Sequence, residues 1–133
     1  MNIVWVNGCF DLLHKGHLEL LKFAKSKGDL LYVGIDSDAR IRIRKGNNRP
    51  IQNENTRFEI LSSLEYVDKV MIYDTDYQLE CLIQDFAPTM MVLGSDYVNK
   101  PILGIQYCEK ITFFDRLEDY STTLTIEKIN NSL

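Results

Sequence analysis

Five short apolar runs constrain this chain more than any other feature: Ile3–Val6, Leu30–Ile35, Val70–Tyr73, Met90–Leu93 and Ile111–Phe114. Each is nearly continuous in apolar residues, the pattern of a strand covered on both faces. Helical patterns fall between and after them, at Gly16–Lys27, Ser37–Arg44, Asn55–Leu64, Tyr77–Phe86 and Thr122–Asn130. Strand–helix alternation of this kind predicts an α/β fold, a doubly wound parallel sheet of five strands. Right-handed crossovers gather the loops that follow the strands along one sheet edge, where ligands of such sheets bind. A length of 133 residues predicts a single domain over 1–133, and 45% hydrophobic residues suffice for its core.

Local signals set the boundaries. Lys25 and Lys27 place cations in the last turn of the first helix and Gly28 lies beyond it. Ser37 or Asp38 caps the second helix, and Asn53 or Asn55 the third. Pro88 stops the fourth. Leu79, Leu82, Ile83 and Phe86 have helical spacing and read as core. Lys45–Gln52, rich in Gly, Asn and Pro, reads as a loop.

The bulk properties exclude several classes. A formal charge of -4 gives no electrostatic footprint for nucleic acid. No apolar run is long enough to span a bilayer. The chain opens on a strand pattern instead of a basic and then apolar leader, so no signal peptide is expected. Cys9, Cys81 and Cys108 form no CxxC pair and read as free thiols in a reducing cytoplasm.

Chemistry concentrates first between strand one and helix one, in Gly8-Cys9-Phe10-Asp11-Leu12-Leu13-His14-Lys15-Gly16-His17. A helix N-terminus carries unpaired N–H groups and a positive partial charge, so it attracts anions. His14 and His17, three apart, lie on one face and add donors there. Gly16 leaves room for a ligand to approach the backbone. Asp11 is placed to cap the helix or to orient one imidazole. Cys9 has no general base in view and reads as packing beside the loop. Two surface histidines at a helix cap are the alternative. A zinc pair lacks a third ligand nearby, and no metal site made of protein side chains is predicted.

Arg40, Arg42, Arg44, Lys45 and Arg49 form a cationic cluster, five of the fifteen Lys and Arg residues. A solvated helix face accounts for about half of such a cluster, and the loop cations Lys45 and Arg49, with Arg57 on the next helix, are the better phosphate candidates. Ser121-Thr122-Thr123 opens the last helix, where hydroxyls cap it or make a second anion site. Gly94-Ser95-Asp96-Tyr97 follows the fourth strand, where a nucleotide or substrate loop belongs. There is no G-x-x-x-x-G-K-[ST], no G-x-G-x-x-G after the first strand and no G-x-S-x-G elbow.

The first of these motifs, with its glycine, Phe10-Asp11 and H-x-G-H elements, closely resembles that of the cytidylyltransferase-like nucleotidyltransferases. Lys45-Gly46 with Arg49-Pro50 is similar to the K-G-x-x-R-P loop of the heptose 1-phosphate adenylyltransferases, and Arg57 with Leu61, Leu64 and Val67-Asp68 to the helix that follows it. Gly94 with Asp96-Tyr97 resembles their G-x-D-Y loop, and Ser121-Thr122-Thr123 the family's S-T-T helix start. Leu93 departs from the lysine usual in the heptose branch. With Arg116, Glu118 and Ser121, it is more like the glycerol 3-phosphate cytidylyltransferases.

The resemblance implies a Rossmann-like enzyme that transfers a nucleoside monophosphate from ATP or CTP to a sugar or polyol phosphate and releases pyrophosphate. Heptose 1-phosphate adenylyl transfer is the first reading, glycerol 3-phosphate cytidylyl transfer the second, and a non-catalytic nucleotide-binding regulator the third. It implies catalytic roles for His14, His17 and Lys45. It implies nucleotide or phosphate contacts from Gly8, Cys9, Phe10, Asp11, Gly16, Arg49, Arg57, Gly94, Asp96, Arg116, Ser121, Thr122 and Thr123. Mg²⁺ accompanying the triphosphate, and a homodimer, are implied in the same way.

Overall fold

The computed structural model of the chain describes residues 1–115 and 121–132. One parallel sheet holds β1 (Ile3–Gly8), β2 (Leu30–Asp36), β3 (Lys69–Tyr73), β4 (Met90–Gly94) and β5 (Lys110–Phe114), in the order β3-β2-β1-β4-β5. Five α-helices are described: α1 (Lys15–Lys25), α2 (Asp38–Lys45), α3 (Glu54–Ser62), α4 (Asp76–Phe86) and α5 (Thr122–Ser132). Every pairing is parallel, with Val4 opposite Leu31 on one side of β1 and opposite Met90 on the other. The predicted architecture and all ten elements are present. The Rossmann-like order leaves β1 central, with the topological switch between β1 and β4.

The sheet is covered on both faces, and strand alternation decides which side chain goes where. Val4 and Val6, with Val33, Ile35 and Val92, pack on one face against Leu21 and Ala24 of α1 and Leu61 of α3. Trp5, Met91 and Leu93 point the other way, onto Leu79 and Ile83 of α4. Fully burying a Leu or Ile side chain contributes about 1.5–3 kcal/mol, so these two layers supply the main driving force. Gly34 is a condition of the second layer, since a Cβ there would sit 2.6 Å from Trp5 Cζ2.

Helix ends follow the sequence with small shifts. Ser37 Oγ accepts from Arg40 N at 3.1 Å and caps α2, while Asn53 Oδ1 accepts from Thr56 N at 2.8 Å and caps α3. Lys45 is the last residue of α2 and does not belong to the loop. Gly46, at φ 95°, ends that helix in a conformation suited to glycine. Ser26, not Gly28, is the C-cap of α1. Gly28 is required for closeness instead, because a Cβ would lie 2.8 Å from Val4 Cγ2. No helix among the described residues is long and apolar enough to cross a membrane.

Candidate functional site

The loop after β1 is held in an unusual shape. Phe10 (φ 53°) and Leu12 (φ 51°) both occupy the left-handed region, which costs a non-glycine residue about 1–2 kcal/mol. Buried Asp11 offsets that strain. Its carboxylate accepts from Ile51 N at 2.8 Å and Gln52 N at 2.9 Å, and Arg49 Nε lies 3.7 Å away. Asp11 is expected to cap α1 or to orient an imidazole, and it does neither. It clamps the first loop to the loop that follows α2, and its backbone carbonyl accepts from Thr122 Oγ1, which brings α5 to the same place.

The cap of α1 is a pair of imidazoles. His14 is the N-cap, and its Nδ1 accepts from Gly16 N at 3.0 Å. His17 returns the bond, its Nδ1 accepting from His14 N at 3.2 Å. The rings stack with centroids 3.8 Å apart, and Phe10 packs on His17 at 5.4 Å. An Nδ1 that accepts carries no proton, so in the neutral ring the proton sits on Nε2. The reciprocal cap thus selects one tautomer for both rings.

Two adjoining cavities share this wall. The smaller, 190 Å³, lies over the switch between β1 and β4, and its lining includes His14, Gly16, His17, Val92, Gly94 and Asp96. The larger, 340 Å³, opens toward β2, and its polar lining includes Asp36, Arg40, Arg44, Lys45 and Ser121–Thr123. Gly8, Cys9, Phe10, His14 and His17 border both. At α5, Ser121 Oγ accepts from Leu124 N at 3.0 Å, so the expected cap forms at the rim of the larger cavity.

The cations are sorted differently from the sequence expectation. Arg57 is fully buried and spent inside the protein. It donates to the carbonyls of Gln52 (3.0 Å), Cys9 (2.9 Å) and Asp36 (2.7 Å) and pairs with Asp38 at 2.8 Å. It is a brace, not a phosphate ligand, because it is fully buried and four of its five N–H groups are taken by protein acceptors. Arg49 turns toward Asp11 and lines neither cavity. Lys45 does line the larger one. So do Arg40 and Arg44, which the solvated-face reading passed over. Arg116 lies outside the described residues.

Asp36, the last residue of β2, gathers these cations. It is 1% exposed and accepts from Arg40 Nε, Arg44 Nη1 and Cys9 Sγ, each at 3.1 Å. Burial, then the Asp36 charge and hydrogen bond, push the Cys9 thiol up to about 11, so it stays a neutral donor. Burial and Asp36 likewise hold the Tyr73 phenol well above its ordinary value. Asn7 Nδ2 contacts Tyr73 Oη at 3.5 Å and Asn7 Oδ1 accepts from Trp5 Nε1 at 2.9 Å, which extends the network into the core. Asp36, Arg40, Arg44, Tyr73 and Asn7 are the site residues the sequence reading missed. The i,i+4 spacing of Asp36 and Arg40, repeated at Arg44, was the available signal.

The arrangement can bind a polyanion: two imidazole donors at the centre, a hydroxyl-rich helix start on one side and cations on the other. Among the described residues no group of three or more His, Cys, Asp or Glu is placed to hold a metal ion.

Residues 5–128 match the model of the cytidylyltransferase-like family. The chain is 44% identical over 130 residues to the bifunctional protein HldE of Helicobacter pylori strain G27, and 41% identical over 127 residues to that of Campylobacter fetus subsp. fetus strain 82-40. These matches cover 98% and 96% of the chain but only 28% of each relative's length. A solved lipopolysaccharide core biosynthesis protein from Thermoplasma volcanium superposes with a TM-score of 0.73 at 28% identity, covering 89% of this chain and 99% of that one. A pantoate-beta-alanine ligase from Francisella tularensis shares the fold, with a TM-score of 0.59 at 20% identity over 98% of this chain and 69% of its own.

Proposed function

From the membership of this chain in the cytidylyltransferase-like nucleotidyltransferase family, we propose that it transfers AMP from ATP to heptose 1-phosphate and releases pyrophosphate. The observation that carries the reading is the reciprocal His14/His17 cap on the wall shared by both cavities. The Lys45-Gly46 and Arg49-Pro50 elements, and the relationship to HldE and to a lipopolysaccharide core biosynthesis protein, support the heptose acceptor. Leu93, which borders both cavities, favours CTP with glycerol 3-phosphate as the second reading.

The chemistry suits the side chains. The acceptor's phosphate monoester has a second pKa of about 6, so it is already a nucleophile near neutrality and needs no general base. One of its oxygens attacks the α-phosphorus. A new P–O bond forms, the bridging α–β P–O bond breaks, and the electron pair leaves with pyrophosphate. What remains for the protein is in-line positioning and stabilisation of charge. The nucleoside occupies the smaller cavity, and the larger takes the acceptor together with the outer phosphates. The Nε2–H groups of His14 and His17 face the α- and β-phosphates between them. Ser121, Thr122 and Thr123 hold the outer phosphates at the start of α5, and Lys45 draws the acceptor anion. Both carboxylate oxygens of Asp36 are occupied by protein donors, which fits Mg²⁺ entering with the nucleotide. When bound, that ion neutralises phosphate charge.

The test crosses ATP and CTP with heptose 1-phosphate and glycerol 3-phosphate and reads pyrophosphate. Release with ATP and heptose 1-phosphate is expected. Nucleotide binding without release from any pair would return the chain to a regulatory role.

A further inference from the structure

We propose that Arg44, held by the buried carboxylate of Asp36, is the arginine that binds the acceptor's phosphate, with Asp36 as its positioning residue. This rests on the transfer reading above and adds two residues to it. Of the five arginines in 40–57, Arg57 is consumed by three carbonyls and Asp38, and Arg49 lies against Asp11 away from both cavities. Arg42 lines neither cavity. Arg40 reaches the larger cavity, but its Nε is on Asp36, its Nη2 on Asp76 at 2.7 Å, and its plane lies 5.3 Å over the Tyr73 ring. Its side chain is only 15% exposed, so it forms wall.

Arg44 is placed differently. Its side chain is 49% exposed and lines the larger cavity, and among the described residues its one hydrogen bond runs from Nη1 to Asp36 Oδ2. A guanidinium has five N–H donors in a planar fork, so one edge is anchored and donors remain for a ligand. Lys45 follows directly, on the same cavity. The two cations stand at the end of α2, on the β2 side of the central β1. The smaller cavity and its strand β4 lie on the opposite side of β1. That places them on the half of the site assigned above to the acceptor.

The role of Asp36 follows from its saturation. Both oxygens already accept from protein donors, so it is not a hydroxyl acceptor for a sugar. A buried carboxylate paired to a half-exposed guanidinium fixes that guanidinium's plane, and a fork held in place loses less freedom on binding than a loose one.

The test is calorimetric titration of the intact chain with heptose 1-phosphate and with glycerol 3-phosphate, in the presence of a non-hydrolysable ATP analogue, and separately with the analogue alone. Arg44→Gln should weaken binding of the sugar or polyol phosphate that the wild type takes by about tenfold or more, the loss of a charge-assisted pair. Affinity for the ATP analogue should stay within about twofold. Asp36→Asn should shift acceptor affinity the same way, at a lower thermal midpoint because a buried carboxylate is taken from its cationic partners. Weakened analogue binding in Arg44→Gln, or unchanged acceptor affinity, would overturn the assignment. A lowered midpoint with normal acceptor affinity in Asp36→Asn would overturn its positioning role. Arg44 is exposed enough that its variant folds, so the first half is decided even where Asp36→Asn does not. Absence of pyrophosphate release by the wild type would sink the transfer reading alone, since binding is read without turnover.

Discussion

The guanidinium of Arg57 lies 2.8 Å from the carboxylate of Asp38 and is wholly buried, yet its other bonds reach the carbonyl of Cys9, 48 residues earlier in the chain. One side chain thus ties the end of β1, the end of β2 and the start of α3 together beneath the site. Arg57→Ala leaves buried carbonyls and Asp38 without their partner, a defect that costs about 3–5 kcal/mol. Chemical denaturation should show that loss. Arg57→Lys should recover only part of it, because an ammonium cannot span the same fork.

The imidazole pair has two jobs that mutagenesis separates. An N-cap side chain contributes about 0.5–2 kcal/mol, and asparagine supplies an equivalent acceptor. His14→Asn should therefore keep the thermal midpoint while kcat falls by on the order of a hundredfold. His17→Ala should lose turnover similarly and also lose the return half of the cap. Normal kcat in a folded His17→Ala variant would remove the imidazole from the chemistry.

Lys45 is exposed at the end of α2 and makes no ion pair among the described residues. Lys45→Ala should leave stability within about 0.5 kcal/mol while raising the acceptor KM or lowering kcat. Lost stability with unchanged kinetics would mark it as structural.

Alkaline pH should weaken the fold through its thiols. Burial, then Asp36, raise Cys9 to about 11, and burial raises Cys108 to about 11. The folded chain therefore keeps protons that the unfolded chain releases from about pH 9 upward. The stability contributed by the neutral thiols is complete below that value and lost as pH rises toward 11. The thermal midpoint should fall across this window. Cys9→Ala should flatten the fall by on the order of 1–2 kcal/mol, partial exposure having been allowed for.

Much of the fold was legible because it rests on local pattern. The apolar runs became strands, and Ser37 and Asn53 cap the helices as their side chains predict. The histidine pair and the hydroxyls of Ser121–Thr123 were legible for the same reason, since each is a local feature of a helix start. What failed was the allocation of charged groups to distant partners. Arg57 and Arg49 looked available because the acceptors of the one and the ion-pair partner of the other lie far off in sequence, as do the N–H groups of Ile51 and Gln52 that occupy Asp11. Arg40 and Arg44 looked merely solvated because Asp36 belongs to the preceding strand, although it sits one helical repeat before Arg40. Such a pairing depends on how the crossover leaves the sheet.

Trp5 is the chain's single tryptophan, fully buried, and its indole N–H is bonded to Asn7, which borders both cavities and contacts Tyr73. The molecule thereby contains its own optical probe. A ligand that draws Asn7 or the Tyr73–Asp36 contact toward it changes the polarity felt by the indole. Emission should shift on addition of nucleotide or sugar phosphate, and Asn7→Leu should silence the response while binding persists. Occupancy can thus be followed in the unlabelled protein, before any acceptor has been identified by turnover.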